Sequence, residues 1–181
     1  MIFAETAIAG VTLVRAEPSA DDRGSFARLH CVQEFGQKGH WFQPVQTSLS
    51  RNPRPATLRG MHFQIAPYAE TKLVRVLRGR AFDVALDLRA KSPTYLEWVG
   101  LELNAQLGPA LLIGEGIAHG FLTLEPDTDI LYQISPAHSG DHARGVRWND
   151  PAFNIKWPFV PKIISDRDAA YPDYRANGSG S

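Results

Sequence analysis

The chain has 181 residues, 44% of them hydrophobic, and its 19 Lys and Arg balance 19 Asp and Glu to a formal charge of zero. That length buries a sizeable core as one domain, and the balanced charge argues against nucleic acid or an anionic membrane surface as partner, since both demand clustered positive charge. A single cysteine, Cys31, excludes an intrachain disulfide and a CxxC metal or redox site, and it fits a reducing cytoplasm. In chain order, the N-terminal stretch lacks a basic n-region and Glu5 interrupts its apolar run, which makes it a poor signal peptide. No apolar run approaches the roughly 20 residues that span a bilayer.

Short β-prone runs follow, punctuated by Gly, Pro, Asn and Asp: "GVTLVRA", "GSFARLHC", "PVQTSLSR" and "ATLRGMHFQ", with "VQEFGQKG" as a helical turn. In "KLVRVLRGRAFDVALDLR", Gly79 marks a turn, after which Phe82, Val84, Leu86 and Leu88 alternate with Asp83, Ala85, Asp87 and Arg89. This period of two describes a strand with one apolar and one polar face. On pattern alone the polar face is read as turned to water, the other possibility being a wet interior. Further strands are read at "EWVGLELN", "PALLIG", "HGFLTLE", "DTDILYQIS" and "GVRWND", and Ser165 opens a short helix in "SDRDAAYPDY". Many short strands with frequent turns predict an all-β barrel or sandwich over residues 1–174, with residues 175–181 set aside as a disordered or cloning-derived tail.

His62 lies in the strand-like "TLRGMHFQI". A histidine-rich metal site on a barrel would want a second imidazole two residues on, where Gln64 stands. His119 is able to approach from another strand, while His30, His40, His138 and His142 show no ligand spacing. Acid–base chemistry is the other reading, with Asp83, Asp87, Asp166 or Asp168 as partner and Tyr132 as an acid. Spacing alone favours a structural histidine, because functional ones are recognised by geometry.

The ordered series "DDRGSFAR", "QTSLS", "LRGMHFQ", "KLVRVLRGRAFDVALDLRAKSPTY", "GEGIAHGF", "DILYQIS", "GVRWNDPAFNIKWP" and "SDRD" resembles the dTDP-4-dehydrorhamnose 3,5-epimerase family from about Arg23 to Asp168. The resemblance implies a cupin-type jelly-roll β-barrel with a few short helices, acting in the cytoplasm without metal or organic cofactor. The implied substrate is a nucleoside-diphospho-4-keto-6-deoxyhexose, whose C3 and C5 hydrogens flank the C4 ketone and leave to give an enolate. His62 matches the general base, Asp168 its carboxylate partner, and Tyr132 the acid returning a proton to the opposite face. Lys72 matches a cation near O4, where preorganised stabilisation is worth about 3–4 kcal/mol per donor, and Asp83 on the next strand is able to pair with it. His119 matches a pocket histidine. Arg23, Arg59 and Gln46 match diphosphate and nucleotide positions suited to arginine's planar fork, and Phe26 fits packing against the base.

Three departures stand out. Arg28 replaces the glutamate of "RGxFxE", His138 replaces an aromatic tyrosine, and Gly114 replaces a proline. Arginine only donates where a carboxylate accepts, so CDP, UDP and GDP carriers stand beside dTDP, and one or two inverted centres are open. A mono-epimerase and a non-catalytic nucleotide-sugar sensor are the alternative readings. The family implies a homodimer whose N-terminal strand crosses to the partner, carrying Arg23 or Phe26 into its pocket.

Overall fold

The computed structural model describes residues 1–106 and 108–175. Its thirteen strands are β1 (Ile2–Glu5), β2 (Val11–Arg15), β3 (Ser19–Asp21), β4 (Gly24–Phe26), β5 (Gln46–Asn52), β6 (Leu58–Gln64), β7 (Thr71–Arg78), β8 (Arg80–Asp87), β9 (Trp98–Asn104), β10 (Ala110–Ile113), β11 (Ile117–Thr123), β12 (Thr128–Ser135) and β13 (Ala143–Gly145). Two short helices, α1 (Val32–Gln37) and α2 (Asp166–Ala169), and a 3-10 turn at Gly140–His142 complete the described elements. The strands pair antiparallel into a six-stranded sheet, β1-β2-β10-β7-β12-β5, and a five-stranded sheet, β13-β6-β11-β8-β9, with β3-β4 as a separate hairpin. The two large sheets face each other as a flattened jelly roll.

The sequence dictates this layering through side-chain alternation. Val74, Val76, Leu111, Ile113 and Ile130 of the larger sheet pack against Ala81, Ala85, Leu103, Ile117 and Phe121 of the smaller one, forming the central core. Each fully buried Leu, Ile or Phe there contributes on the order of 1.5–3 kcal/mol. The outer faces are covered as well. Val84, Leu86, Ala118 and Met61 lie under Val146, Phe153 and Ile155, while Leu73, Ala110, Leu112 and Val14 lie under Phe35 of α1 and Phe42.

Double coverage corrects the reading of β8. The face bearing Ala81, Asp83, Ala85 and Asp87 is wholly buried rather than turned to water. Both carboxylates are tolerated because each is paired, Asp83 with His119 and Asp87 with Arg89, Ser92 and Thr94. Gly79 makes the expected β7–β8 turn at φ +74°, and a Cβ there meets the Thr128 hydroxyl at 2.5 Å, so both conformation and space require glycine.

Other boundaries shift. "GSFARLHC" is a strand only to Phe26, because its pairing partner β3 is three residues long. The strand expected at "GVRWND" instead spans Ala143–Gly145, opposite Gln64–His62. β1, too short and mixed to show alternation, pairs with β2 from Ile2↔Arg15 to Glu5↔Thr12. Residues 176–181 of the tail lie outside the described residues. Among the described residues no helix is long and apolar enough to cross a membrane.

Candidate active site

His62 sits on β6, where it faces the space between the sheets. Its Nε2 lies 2.7 Å from Asp168 Oδ1, and the second oxygen of that carboxylate accepts the Gly60 backbone N–H at 3.2 Å. Asp168 comes from α2, a single turn capped by Ser165, whose hydroxyl accepts the Asp168 backbone N–H at 3.1 Å. Burial pushes the Asp168 carboxyl up, but the hydrogen bond and charge of His62 and the Gly60 amide outweigh it and hold the group below its ordinary value. With Nε2 engaged by the carboxylate, Nδ1 is the nitrogen left to exchange protons. The imidazole side chain is 42% exposed while its carboxylate partner is 6% exposed, so the ring is open to a ligand and its orienting group is not. Tyr171 follows α2 and approaches the His62 ring edge-on at 6.4 Å. It packs where a Cβ on Gly145 would lie 2.2 Å from its ring, so the end of β13 has to be glycine for the C-terminal segment to dock.

The facing sheet supplies the other wall. Tyr132 on β12 and Lys72 on β7 line the same cavity of about 790 Å³ as His62, Arg59, His119 and His138. Burial, reinforced by the negative charges of Asp83 and Glu70 against the opposing pull of Arg59, pushes the Tyr132 phenol well above its ordinary value. The phenol is therefore a hydroxyl, able to donate, at any physiological pH. His119 stands directly opposite His62 in the β6–β11 register, packs edge-on to Tyr132 at 5.7 Å, and meets both Asp83 oxygens at 3.0 Å. Asp83 thus orients His119 and does not pair with Lys72. The lysine's partner is Glu70, 2.5 Å away, a residue to which the motifs draw no attention. The signal for it is positional: Glu70 stands two places before Lys72, the spacing that extended backbone brings to one side.

Arg59 is steadied by Asn52, which accepts its Nε–H at 3.0 Å. Gln46 hydrogen-bonds Ser48 and accepts the His138 backbone N–H, setting the loop at the cavity rim. Ser48, Ser50, Arg144 and Arg167 also line the cavity, and in the sequence they read as ordinary strand-edge and surface residues with nothing to single them out. Five of the expected binding residues do not line this cavity: Gln46 and Asp83 act on it only through His138 and His119, and Arg23, Phe26 and Arg28 lie elsewhere. Arg23 and Phe26 lie on the β3–β4 hairpin, Phe26 79% exposed and Arg23 paired with Asp21, while Arg28 pairs with Glu34. Gln64 is buried and bonded to the Tyr68 carbonyl and the Ser139 amide. Among the described residues there is no group of three or more His, Cys, Asp or Glu placed to hold a metal ion.

An imidazole on one sheet with its carboxylate partner on α2, and a protonated tyrosine with a lysine on the other sheet, line one cavity of a cupin-type jelly roll and equip it for acid–base chemistry. The family described as dTDP-4-dehydrorhamnose 3,5-epimerase matches residues 5–176, and the chain belongs to that family. The dTDP-4-dehydrorhamnose 3,5-epimerase of Sinorhizobium fredii is 40% identical over 173 residues, covering 95% of this chain and 89% of that protein. Among solved structures, the dTDP-4-dehydrorhamnose 3,5-epimerase of Bacillus anthracis with TDP and PPi bound aligns with a TM-score of 0.91 at 38% identity, over 96% of this chain and 99% of that one. ChmJ, a 3′-monoepimerase from Streptomyces bikiniensis in complex with dTDP-quinovose, aligns with a TM-score of 0.86 at 28% identity, over 93% and 85%.

Proposed function

We propose that the cavity inverts C3 and C5 of a dTDP-linked 4-keto-6-deoxyhexose, with proton abstraction and proton return carried out from opposite walls. The observation that carries this reading is the separation of the two groups: His62 belongs to the five-stranded sheet and Tyr132 to the six-stranded one, and both face the same cavity. A hexose lying between them presents one face to each. His62, oriented by Asp168, takes the hydrogen next to the ketone. The resulting charge spreads onto O4, where the Lys72 ammonium stabilises it. Tyr132 then delivers its proton to the other face, and the centre is inverted. Arg59 and the rim residues Gln46 and His138 hold the diphosphate and nucleoside end.

Phe26 and Arg23 do not line the cavity of their own chain, and we extend the reading to a homodimer in which the N-terminal hairpin of one protomer completes the cavity of its partner. Their exposure on a hairpin outside both large sheets supports this arrangement. We also propose a cytoplasmic location, a reading that the lone, unpaired Cys31 supports. The similarity to ChmJ keeps inversion at a single centre as the second reading.

The test is solvent deuterium uptake in D2O with 4-keto-6-deoxyhexoses carried on dTDP, CDP, UDP and GDP, the label being located by NMR. Uptake at both C3 and C5 on dTDP is the expected result. Uptake at one carbon moves the assignment to a mono-epimerase, and a preference for another nucleotide changes the carrier. Tight binding with no uptake on any carrier would leave a sensor and overturn the catalytic reading.

A further inference from the structure

We infer that Glu70 is a positioning residue that holds the Lys72 ammonium against the cavity wall, where its free protons meet the oxygen of the reacting ketone. This rests on the proposed reaction, and it adds a carboxylate to the machinery that neither the dyad nor the tyrosine accounts for. Glu70 precedes β7 directly and Lys72 is its second residue, and both side chains turn to the inner face. Both line the cavity; Glu70 is 7% and Lys72 5% exposed, with Glu70 Oε1 2.5 Å from Lys72 Nζ. A lysine has a long, freely rotating stem, and its ammonium is a point charge without arginine's fixed fork. Its β-sheet neighbours in register are Ile113 and Ile134, which offer the ammonium nothing polar from their side chains. The second contact, to the His62 backbone carbonyl, is long at 3.4 Å.

Glu70 therefore supplies the short anchor, and the arrangement explains how a buried cation stays in place. The ammonium has three protons. One faces Glu70 and one the His62 carbonyl, which leaves the third for a substrate oxygen. The contact to the His62 carbonyl ties the cation to the same strand as the base, so Glu70 indirectly sets the distance between the group that removes the proton and the group that receives the charge. The same carboxylate adds to burial and Asp83 in keeping the Tyr132 proton in place.

The test is a double-mutant cycle of Glu70→Gln and Lys72→Met, assayed by epimerisation and solvent exchange. Glu70→Gln alone is expected to lower kcat about 10- to 100-fold with KM changed less than about twofold, smaller than the loss from removing a donor outright. In the Lys72→Met background the same change is expected to have almost no further effect, because a residue acting through Lys72 loses its means of action with it. Fully additive losses, or a Glu70→Gln enzyme with wild-type kcat, would overturn the inference. A second readout does not require turnover. In 15N-labelled protein the Lys72 ammonium is expected to give a protected Nζ–H signal that disappears in Glu70→Gln, while circular dichroism and the backbone amide spectrum show the fold retained. Should that signal behave as expected while no carrier is turned over by the wild type, the positioning of Lys72 stands and the epimerase reading falls. An Nζ–H signal insensitive to Glu70→Gln would refute the positioning itself.

Discussion

At the scale of single residues, the proposed reaction rests on His62, Asp168 and Tyr132, and each has a distinct expected phenotype. His62→Ala removes the base, and Asp168→Asn replaces the acceptor that selects the ring nitrogen with a group able to donate in its place. Both are expected to lower kcat by about 10²–10⁴-fold with circular dichroism and thermal unfolding nearly unchanged; wild-type turnover in either variant would remove the pair from the mechanism. Tyr132→Phe separates the two half-reactions. The base still functions, so deuterium exchange in D2O is expected to persist while net inversion falls, and a variant equally defective in both would deny Tyr132 its role as the acid. The identities of these residues are legible in the sequence because they stand in ordered motifs, but their partners are only partly so. Asp168 is the neighbour of His62 that its motif implies. Lys72 pairs with Glu70 rather than with Asp83, because Asp83 is already consumed by His119, 36 residues along the chain.

At the scale of elements, β8 is instructive. Its alternation locates the strand and its turn, yet misleads about the polar face, since periodicity reports that two faces differ and says nothing of what covers them. Asp87 ends the strand in a buried knot. Its carboxylate accepts from Arg89 Nη2 and the Thr94 hydroxyl at 2.7 Å each, and from the Arg89 backbone amide at 3.0 Å. Burial pushes the group up, but the bonds from Arg89, Ser92 and Thr94 prevail and hold it well below the ordinary carboxylate range. A carboxyl depressed in the folded state stabilises it fully above the unfolded-state value, about 3.9, and loses that contribution as the pH falls below it. Asp87→Asn, which lacks this titration, is expected to be less stable than wild type by about 1–3 kcal/mol at pH 7. In urea unfolding the gap is expected to narrow as the pH drops below about 4. A constant gap across that range would show that the charge of Asp87 contributes nothing.

At the scale of the whole molecule, the jelly roll is foreseeable from many short strands and from the family resemblance, while the order of strands across the two sheets is not, because pairings such as β2 with β10 join residues about a hundred positions apart. The exposed hairpin bearing Arg23 and Phe26 has meaning only at this scale. If it completes a neighbour's cavity, two crippled chains will repair each other: His62→Ala and Phe26→Ala protomers, mixed and allowed to exchange, form dimers in which the chain retaining His62 receives an intact Phe26. Activity measured at low substrate concentration is expected to rise above that of either variant alone. No gain after exchange, with mixed dimers verified by mass, would show that each cavity is served by its own chain.

If His62 and Tyr132 act as the proposed base and acid, their placement on different sheets also sets the fate of an isotope. In that reaction a proton leaves one face of the ring and another arrives at the opposite face, so the hydrogen removed and the hydrogen delivered are different atoms. A substrate carrying deuterium at the carbon to be inverted is therefore expected to emerge in ordinary water with protium there, and internal return of the label to the opposite face should be absent even in the first turnover.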